Sequence, residues 1–181
     1  MEYHNPVLLK ESVDGLNIKP NGVYVDVTFG GGGHSKKILS RLNEQGKLFA
    51  FDQDEDAKRN MIDDERFTLI PQNFRFIKRY LRFYGVKKVD GVLADLGVSS
   101  HQFDEAGRGF STRFDADLDM RMNQAEGLSA FQVVNFYDEV KLSDVLFQYG
   151  ELRNARAIAK KIVEMRSEKK IKTSFELKEV L

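Results

Sequence analysis

Apolar residues fall in short runs through the first half of the chain and in helical stripes through the second. Val23 to Thr28 (VYVDVT), Lys47 to Phe51 (KLFAF), Phe67 to Ile70 and Val89 to Ala94 (VDGVLA) are runs rich in β-branched and aromatic residues, the pattern of buried strands. Between them, Ser35 to Asn43 places Ile38, Leu39 and Leu42 on one helical face. Asp54 to Ile62 reads as a second helix, and Phe74 to Tyr84 carries Phe76, Ile77, Tyr80, Leu81 and Tyr84 at helical spacing. Strand–helix alternation with short connections predicts right-handed βαβ units, hence an α/β fold with a parallel sheet and helices on both faces. From Gly97 to Gln124 no period survives, so a long loop is expected there. Four helices then follow: Ser129 to Tyr137, Lys141 to Gln148, Leu152 to Arg166, and one that begins at Ser174. There are no internal repeats.

Composition narrows the class. The 181 residues, 41% hydrophobic and 31% charged, fit one globular domain with a smaller appendage. The absence of cysteine removes disulfides, thiolate metal sites and thiol catalysis. No apolar run spans a bilayer, and Met1 to Lys10 lacks the basic-then-apolar order of a secretory signal, so a cytoplasmic location is expected. Twenty-eight basic side chains balance 28 acidic ones, which leaves any nucleic-acid partner to local clusters. One such cluster is Arg153 to Lys172, with eight Lys/Arg against two Glu. It suits a solvated helix face or contact with phosphates.

The strongest local signal is Asp26-Val-Thr-Phe-Gly30-Gly-Gly-Gly33-His34-Ser35, a glycine run between a strand and a helix. Glycines there let the backbone take positive φ and approach a ligand closely. Neither Gly-x-Gly-x-x-Gly nor Gly-Lys-Ser/Thr is present, which excludes a Walker phosphate loop. Asp52 ends the second strand, 26 residues after Asp26, where a carboxylate can accept both hydroxyls of a ribose. The plainer alternative is a tight turn with an incidental strand-end Asp. Asp26, just before the glycines, suits a ligand with cationic groups better than a pyrophosphate, favouring S-adenosylmethionine over NAD. The fourth strand ends in Asp95-Leu-Gly-Val-Ser-Ser100, and in open parallel sheets ligands lie beyond the carboxyl ends of the strands. Asp95 therefore reads either as a turn residue or as a group facing the reacting atoms. His34 reads as a helix-start cap, and three histidines make a His-based metal site improbable in this chain.

Five ordered motifs go further. His4-Asn-Pro-Val-Leu-Leu-Lys-Glu11, Asp26 to Ser35, Asp95 to Ser100, Arg108-Gly-Phe-Ser111 and Leu118-Asp-Met-Arg-Met122 together resemble the ribosomal RNA small subunit methyltransferase H family. The resemblance implies a class I methyltransferase (Rossmann-like) parallel sheet, incomplete here, with a helical inserted domain. Residues 1–104 would form the S-adenosylmethionine-binding part and residues 105–181 the substrate-recognition insertion. By position, Gly32, Gly33 and His34 would touch S-adenosyl-L-methionine, Asp52 its ribose and Phe74 its adenine, with Asp95 and Gln102 completing the pocket. The implied partner is 16S rRNA or the small ribosomal subunit, methylated at the exocyclic N4 of a cytosine in the decoding region. No metal is implied.

Two departures qualify this. Leu152 stands where the family has a second Glu after Tyr149-Gly150-Glu151. The family also continues into further strands, so this sequence is expected to be a fragment. Its strand order would be 3-2-1-4, with Val89 to Ala94 at an uncovered edge open to homodimerisation. In mechanism, N4 is a weak nucleophile that needs in-line placement and an acceptor for its proton, the role assigned to Asp95. Arg108, Phe110, Arg113 and Arg121 suit the holding of a splayed-out base. The main alternative is a truncated, non-catalytic nucleotide- or RNA-binding module; an NAD-dependent oxidoreductase ranks last.

Overall fold

The computed structural model describes residues 6–180; His4, which opens the first motif, lies outside them. The chain divides into two compact units, the first ending at Gly97 and the second starting at Val98.

The first unit runs α1 (Leu9–Gly15), β1 (Val23–Asp26), α2 (Gly33–Leu39), β2 (Lys47–Phe51), β3 (Phe67–Ile70), α3 (Ile77–Phe83) and β4 (Gly91–Leu93). All strand pairings are parallel, as the alternation predicts, in the order β3-β2-β1-β4 that the family resemblance implies. Val25 sits at the centre, opposite Phe49 on one side and Val92 on the other. Side chains alternate across a strand, and two cores result. Tyr24 and Leu48 pack with Val13 of α1 and Ile38 and Leu39 of α2. Val25, Phe49, Phe51 and Ile70 pack against Ile77, Tyr80 and Leu81 of α3. Each fully buried side chain of this kind contributes roughly 1.5–3 kcal/mol, so the sheet is clamped from both faces. This is a Rossmann-like α/β arrangement.

Several elements differ from expectation, each for a local reason. α1 is absent from the predicted elements, although Leu9, Val13 and Leu16 give it an apolar stripe at i, i+4 and i+7. The segment after β2 is a 3₁₀ turn, Glu55–Asn60, rather than an α-helix; its one buried residue, Ala57, is too little to anchor more turns. α2 stops at Leu39 because the chain then folds back, the Asn43 amide bonding to the Pro20 carbonyl at 2.7 Å. At the sheet's edge, Val92 is 47% exposed.

The second unit holds α4 (Ser100–Asp104), α5 (Ala130–Phe136), α6 (Glu139–Gln148), α7 (Ala155–Glu168) and α8 (Ser174–Val180). The stretch expected to be a bare loop thus contains α4, started by a capping box between Ser99 and Gln102, and a 3₁₀ turn at Ala106–Arg108. Ser129 and Asp138 cap α5 and α6 as side-chain acceptors. Leu118, Val134, Leu142, Ala159, Ile162, Ile171 and Val180 form the core. No helix among the described residues is long and apolar enough to cross a membrane.

Candidate functional site

At the carboxyl end of β1 the Asp26 side chain is completely enclosed. Its carboxylate accepts the Ser35 hydroxyl at 2.7 Å and the Thr28 amide at 3.1 Å. Burial pushes its carboxyl above the ordinary value, opposed by those hydrogen bonds. The expectation that Asp26 faces a ligand is therefore corrected. Residue 26 falls on the Tyr24 side of the strand, which α2 covers, so the carboxylate ties β1 to the first turn of α2.

The glycine loop is held by groups far away in sequence. The Gly30 amide donates to Asp52 Oδ2 at 2.8 Å, and Asn60 Nδ2 donates to the Gly30 carbonyl at 3.0 Å. Gly30 and Gly32 take φ of 49° and 77°, conformations that disfavour any side chain. A Cβ on Gly32 would also lie 3.0 Å from the Phe29 ring, and one on Gly33 only 2.3 Å from Pro6 Cγ, whereas nothing lies within 4 Å of one on Gly30. The loop's outer surface is thus open at Gly30 and filled at Gly32 and Gly33. His34, in the first turn of α2, is buried, and its Nε2 has no hydrogen-bond partner among the described residues.

Asp52 is half-buried at the end of β2, accepting Gly30 N and, at 2.9 Å, Asp54 N. Burial raises its pKa above the ordinary carboxylate value, and the backbone amides of Asp54, Gly30 and Gln53 act against that shift. A carboxylate has about four lone-pair positions, so acceptor capacity remains. On the other flank, the exposed Asp95 follows β4, and its amide donates to Thr28 Oγ1 at 2.8 Å. Phe74 is 42% exposed in a 3₁₀ turn after β3, where neighbouring Asn73 donates to Gln53 Oε1 at 2.8 Å.

The glycine loop, Asp52, Asp95 and the Phe74 turn therefore gather at the carboxyl ends of four parallel strands, cross-tied by hydrogen bonds. Gln102 lies in the second unit, buried, with its side chain accepting the Ser99 amide at 3.0 Å in the cap of α4. In the same unit Arg108 of the Arg-Gly-Phe-Ser motif is buried and donates to the carbonyls of Arg121 and Met122, both at 3.0 Å. Arg121 is in turn paired with Asp119 at 2.6 Å. The two arginine-bearing motifs thus brace each other, and two of the cations expected to hold a base are committed internally. At the opposite, amino ends of β2 and β3, a recess is lined by Lys47, Asp64 and Arg66. Arg66 is spent on Asp64, whose carboxyl it holds down to about 2, and on the Leu42 carbonyl.

This geometry, a glycine turn and two strand-end carboxylates at one sheet edge, is shared by several nucleotide-binding folds. A match of residues 1–181 to the model of the MraW methylase family decides between them. The chain belongs to the MraW methylase family. Relatives named ribosomal RNA small subunit methyltransferase H are 70% identical in Flavobacterium johnsoniae and 65% identical in Christiangramia forsetii. Each aligns over 100% of this chain and 60% of the relative. A third, from Phocaeicola vulgatus, is 57% identical over 99% of this chain and 59% of its own length. The chain thus spans about 60% of the length of these MraW-family relatives.

Three functional supports escaped sequence reasoning. Thr28 fixes where Asp95 begins, Asn60 holds the Gly30 carbonyl, and Asn73 joins the turn after β3 to the end of β2. Thr28 had a usable signal, a hydroxyl two residues beyond a strand-end Asp. Asn60 had none, lying 30 positions from its partner.

Proposed function

We propose that this chain provides the methyl-donor site of an S-adenosylmethionine-dependent methyltransferase that acts on small-subunit ribosomal RNA, at the exocyclic N4 of a cytosine in the decoding region. One observation carries the reading: the Gly30 amide bonds to Asp52 and the Asp95 amide to Thr28, which sets both strand-end carboxylates beside an open glycine turn. The residues fit the donor. Asp52, with three backbone amides on its carboxylate, keeps acceptor capacity for a ribose hydroxyl, and Phe74 offers an exposed aromatic face for adenine. The orphaned Nε2 of His34, which costs about 1–3 kcal/mol if left unpaired, would find a partner.

When bound, the donor supplies a methyl group on a positively charged sulfur. The chain's part is positional. Asp52 and the glycine turn hold the nucleoside end, and the Thr28 bond to the Asp95 amide fixes the start of the segment that meets the base. In transfer to the cytosine N4, the chain's own contribution would be the Asp95 carboxylate as acceptor of the proton that N4 loses. Asp95→Asn would therefore keep donor affinity and lose methyl transfer to RNA; full transfer by that variant refutes the role. The primary test is the melting temperature of the 181-residue chain with S-adenosylmethionine or NAD. A ligand at about 100 times its Kd adds roughly 2.7 kcal/mol, so a rise with the methyl donor alone is expected, and a rise with NAD alone would overturn the reading.

A second reading, the non-catalytic binding module, is favoured by the exposed Val92 on the β4 edge, where the sheet ends. Sedimentation tests the related idea that two copies pair there: a monomer at all concentrations refutes it.

A further inference from the structure

The structure sorts the basic run of the second unit into spent and unspent cations. Arg166 donates to the carbonyls of Val134 and Tyr137. Lys169 pairs with Glu176 at 2.7 Å, and Lys170 reaches the Asn135 carbonyl and lies 4.7 Å from the Phe136 ring centre. These three hold the fold together. Arg153, Arg156 and Lys160 are exposed instead. Of them, only Lys160 approaches a carboxylate among the described residues, Glu164 at 3.9 Å, and that pair is two-thirds exposed and so contributes little. No acidic residue occurs between Arg153 and Lys161.

Their placement follows from the turn between α6 and α7. Glu151 takes φ of 54°, and the amides of Glu151 and Leu152 bond back to the carbonyls of Phe147 and Leu146. A Cβ at Gly150 would sit 2.7 Å from the Leu146 carbonyl oxygen, so only glycine fits. This tight corner leaves Tyr149 82% exposed, four residues ahead of Arg153. Along α7, the buried Ala155, Ala159 and Ile162 mark the inner stripe. At about 100° per residue, Arg156 and Lys160 share the outer flank of α7, and Arg153 lies exposed in the turn just ahead of it.

We propose that the α6–α7 corner is an RNA-contact surface on which Arg153, Arg156 and Lys160 neutralise phosphates of one strand and Tyr149 stacks on an unpaired base. The RNA assignment rests on the function proposed above. An uncompensated cation row meets a phosphate backbone without demanding a matching shape, and an exposed ring beside it suits a splayed base. An acidic protein surface would use the cations and leave the ring idle.

The test measures binding of a labelled single-stranded RNA to the 181-residue chain across a salt series. The variants are Arg153→Gln/Arg156→Gln/Lys160→Gln together, Tyr149→Ala, and Lys87→Gln/Lys88→Gln as a charge control in the first unit; unchanged melting verifies their folding. Removing three phosphate contacts lowers the slope of log K against log salt by about 2. Tyr149→Ala weakens binding roughly 5- to 150-fold with the slope unchanged, and the control matches wild type. The proposal is overturned if the triple variant keeps the wild-type slope, if Tyr149→Ala binds normally, or if polyglutamate binds as tightly as RNA. The melting shift with S-adenosylmethionine, measured on the same preparations, reads the donor site separately. Its absence with RNA binding intact sinks the proposed function and leaves this surface standing; the converse result sinks the surface alone.

Discussion

Ser35→Ala is the sharpest probe of how the first unit is held. Asp26 is a fully enclosed carboxylate, and the Ser35 hydroxyl at 2.7 Å is its shortest support. A hydrogen bond to a charged group contributes about 1.5–3 kcal/mol, and removing its donor strands the charge in a desolvated place. Taking about 2 kcal/mol, a unit of this size loses roughly 10 °C in melting temperature. The penalty depends on pH in a defined direction. Burial raises the folded pKa of Asp26, so the folded chain holds this proton where the unfolded chain has released it. The stability Asp26 contributes is complete below about pH 4 and is lost as pH rises through the folded value. Ser35→Ala moves that folded value further up. The penalty should therefore be largest at a pH above the folded value and shrink at a pH below it. Urea unfolding followed by circular dichroism at both pH values measures it, and Asp26→Asn should flatten the dependence. A penalty below about 0.5 kcal/mol, or one equal at both pH values, would refute the account of Asp26 as a buried strut.

Gly32→Ala should destabilise more than Gly30→Ala in the same urea assay. Both pay about 1 kcal/mol for a left-handed residue, and only the first meets the Phe29 ring; equal losses would count against the packed loop. Asp52→Asn should weaken S-adenosylmethionine binding roughly 10- to 100-fold by calorimetry. Because burial raises the Asp52 pKa, wild-type affinity should climb as pH rises through that value and the variant's should not. Asn135→Ala strips partners from both the amide and the carbonyl of Ile171, bonded at 3.0 and 2.7 Å. A loss of roughly 2–4 kcal/mol is expected, with fast hydrogen exchange at Ile171; retained protection there would contradict it.

What was legible in the sequence follows from how local each signal is. Lys47–Phe51 and Phe67–Ile70 are legible to the residue because they are unbroken apolar runs, and the parallel sense of the sheet follows from short crossovers. α5 was read to within its caps because Ser129 announces it. The strand-end positions of Asp52 and Asp95 were legible for the same reason. Asp26 was misjudged because a run such as VYVDVT shows proximity to the glycines without showing which sheet face its carboxylate takes. The support from Asn60 is not legible, since its partner lies 30 positions away with no pattern linking the two, while Thr28 carries only the local signal of a hydroxyl two residues past a strand-end Asp.

The arrangement of β1 between β2 and β4 also orders events in time. Val25 pairs with Phe49, 24 positions on, and with Val92, 67 positions on. Closing the longer span costs about 0.9 kcal/mol more in chain entropy by the logarithmic loop rule. β1, β2 and β3 therefore assemble first from near neighbours, and β4 docks last on the opposite flank. Gly30 and Asp52 meet in the early step, while Asp95 arrives with the late one. A folding chain would thus acquire the half of the site proposed to hold the nucleoside before the half proposed for proton transfer, and pulse-labelled hydrogen exchange should protect the Gly30 amide ahead of the Asp95 amide.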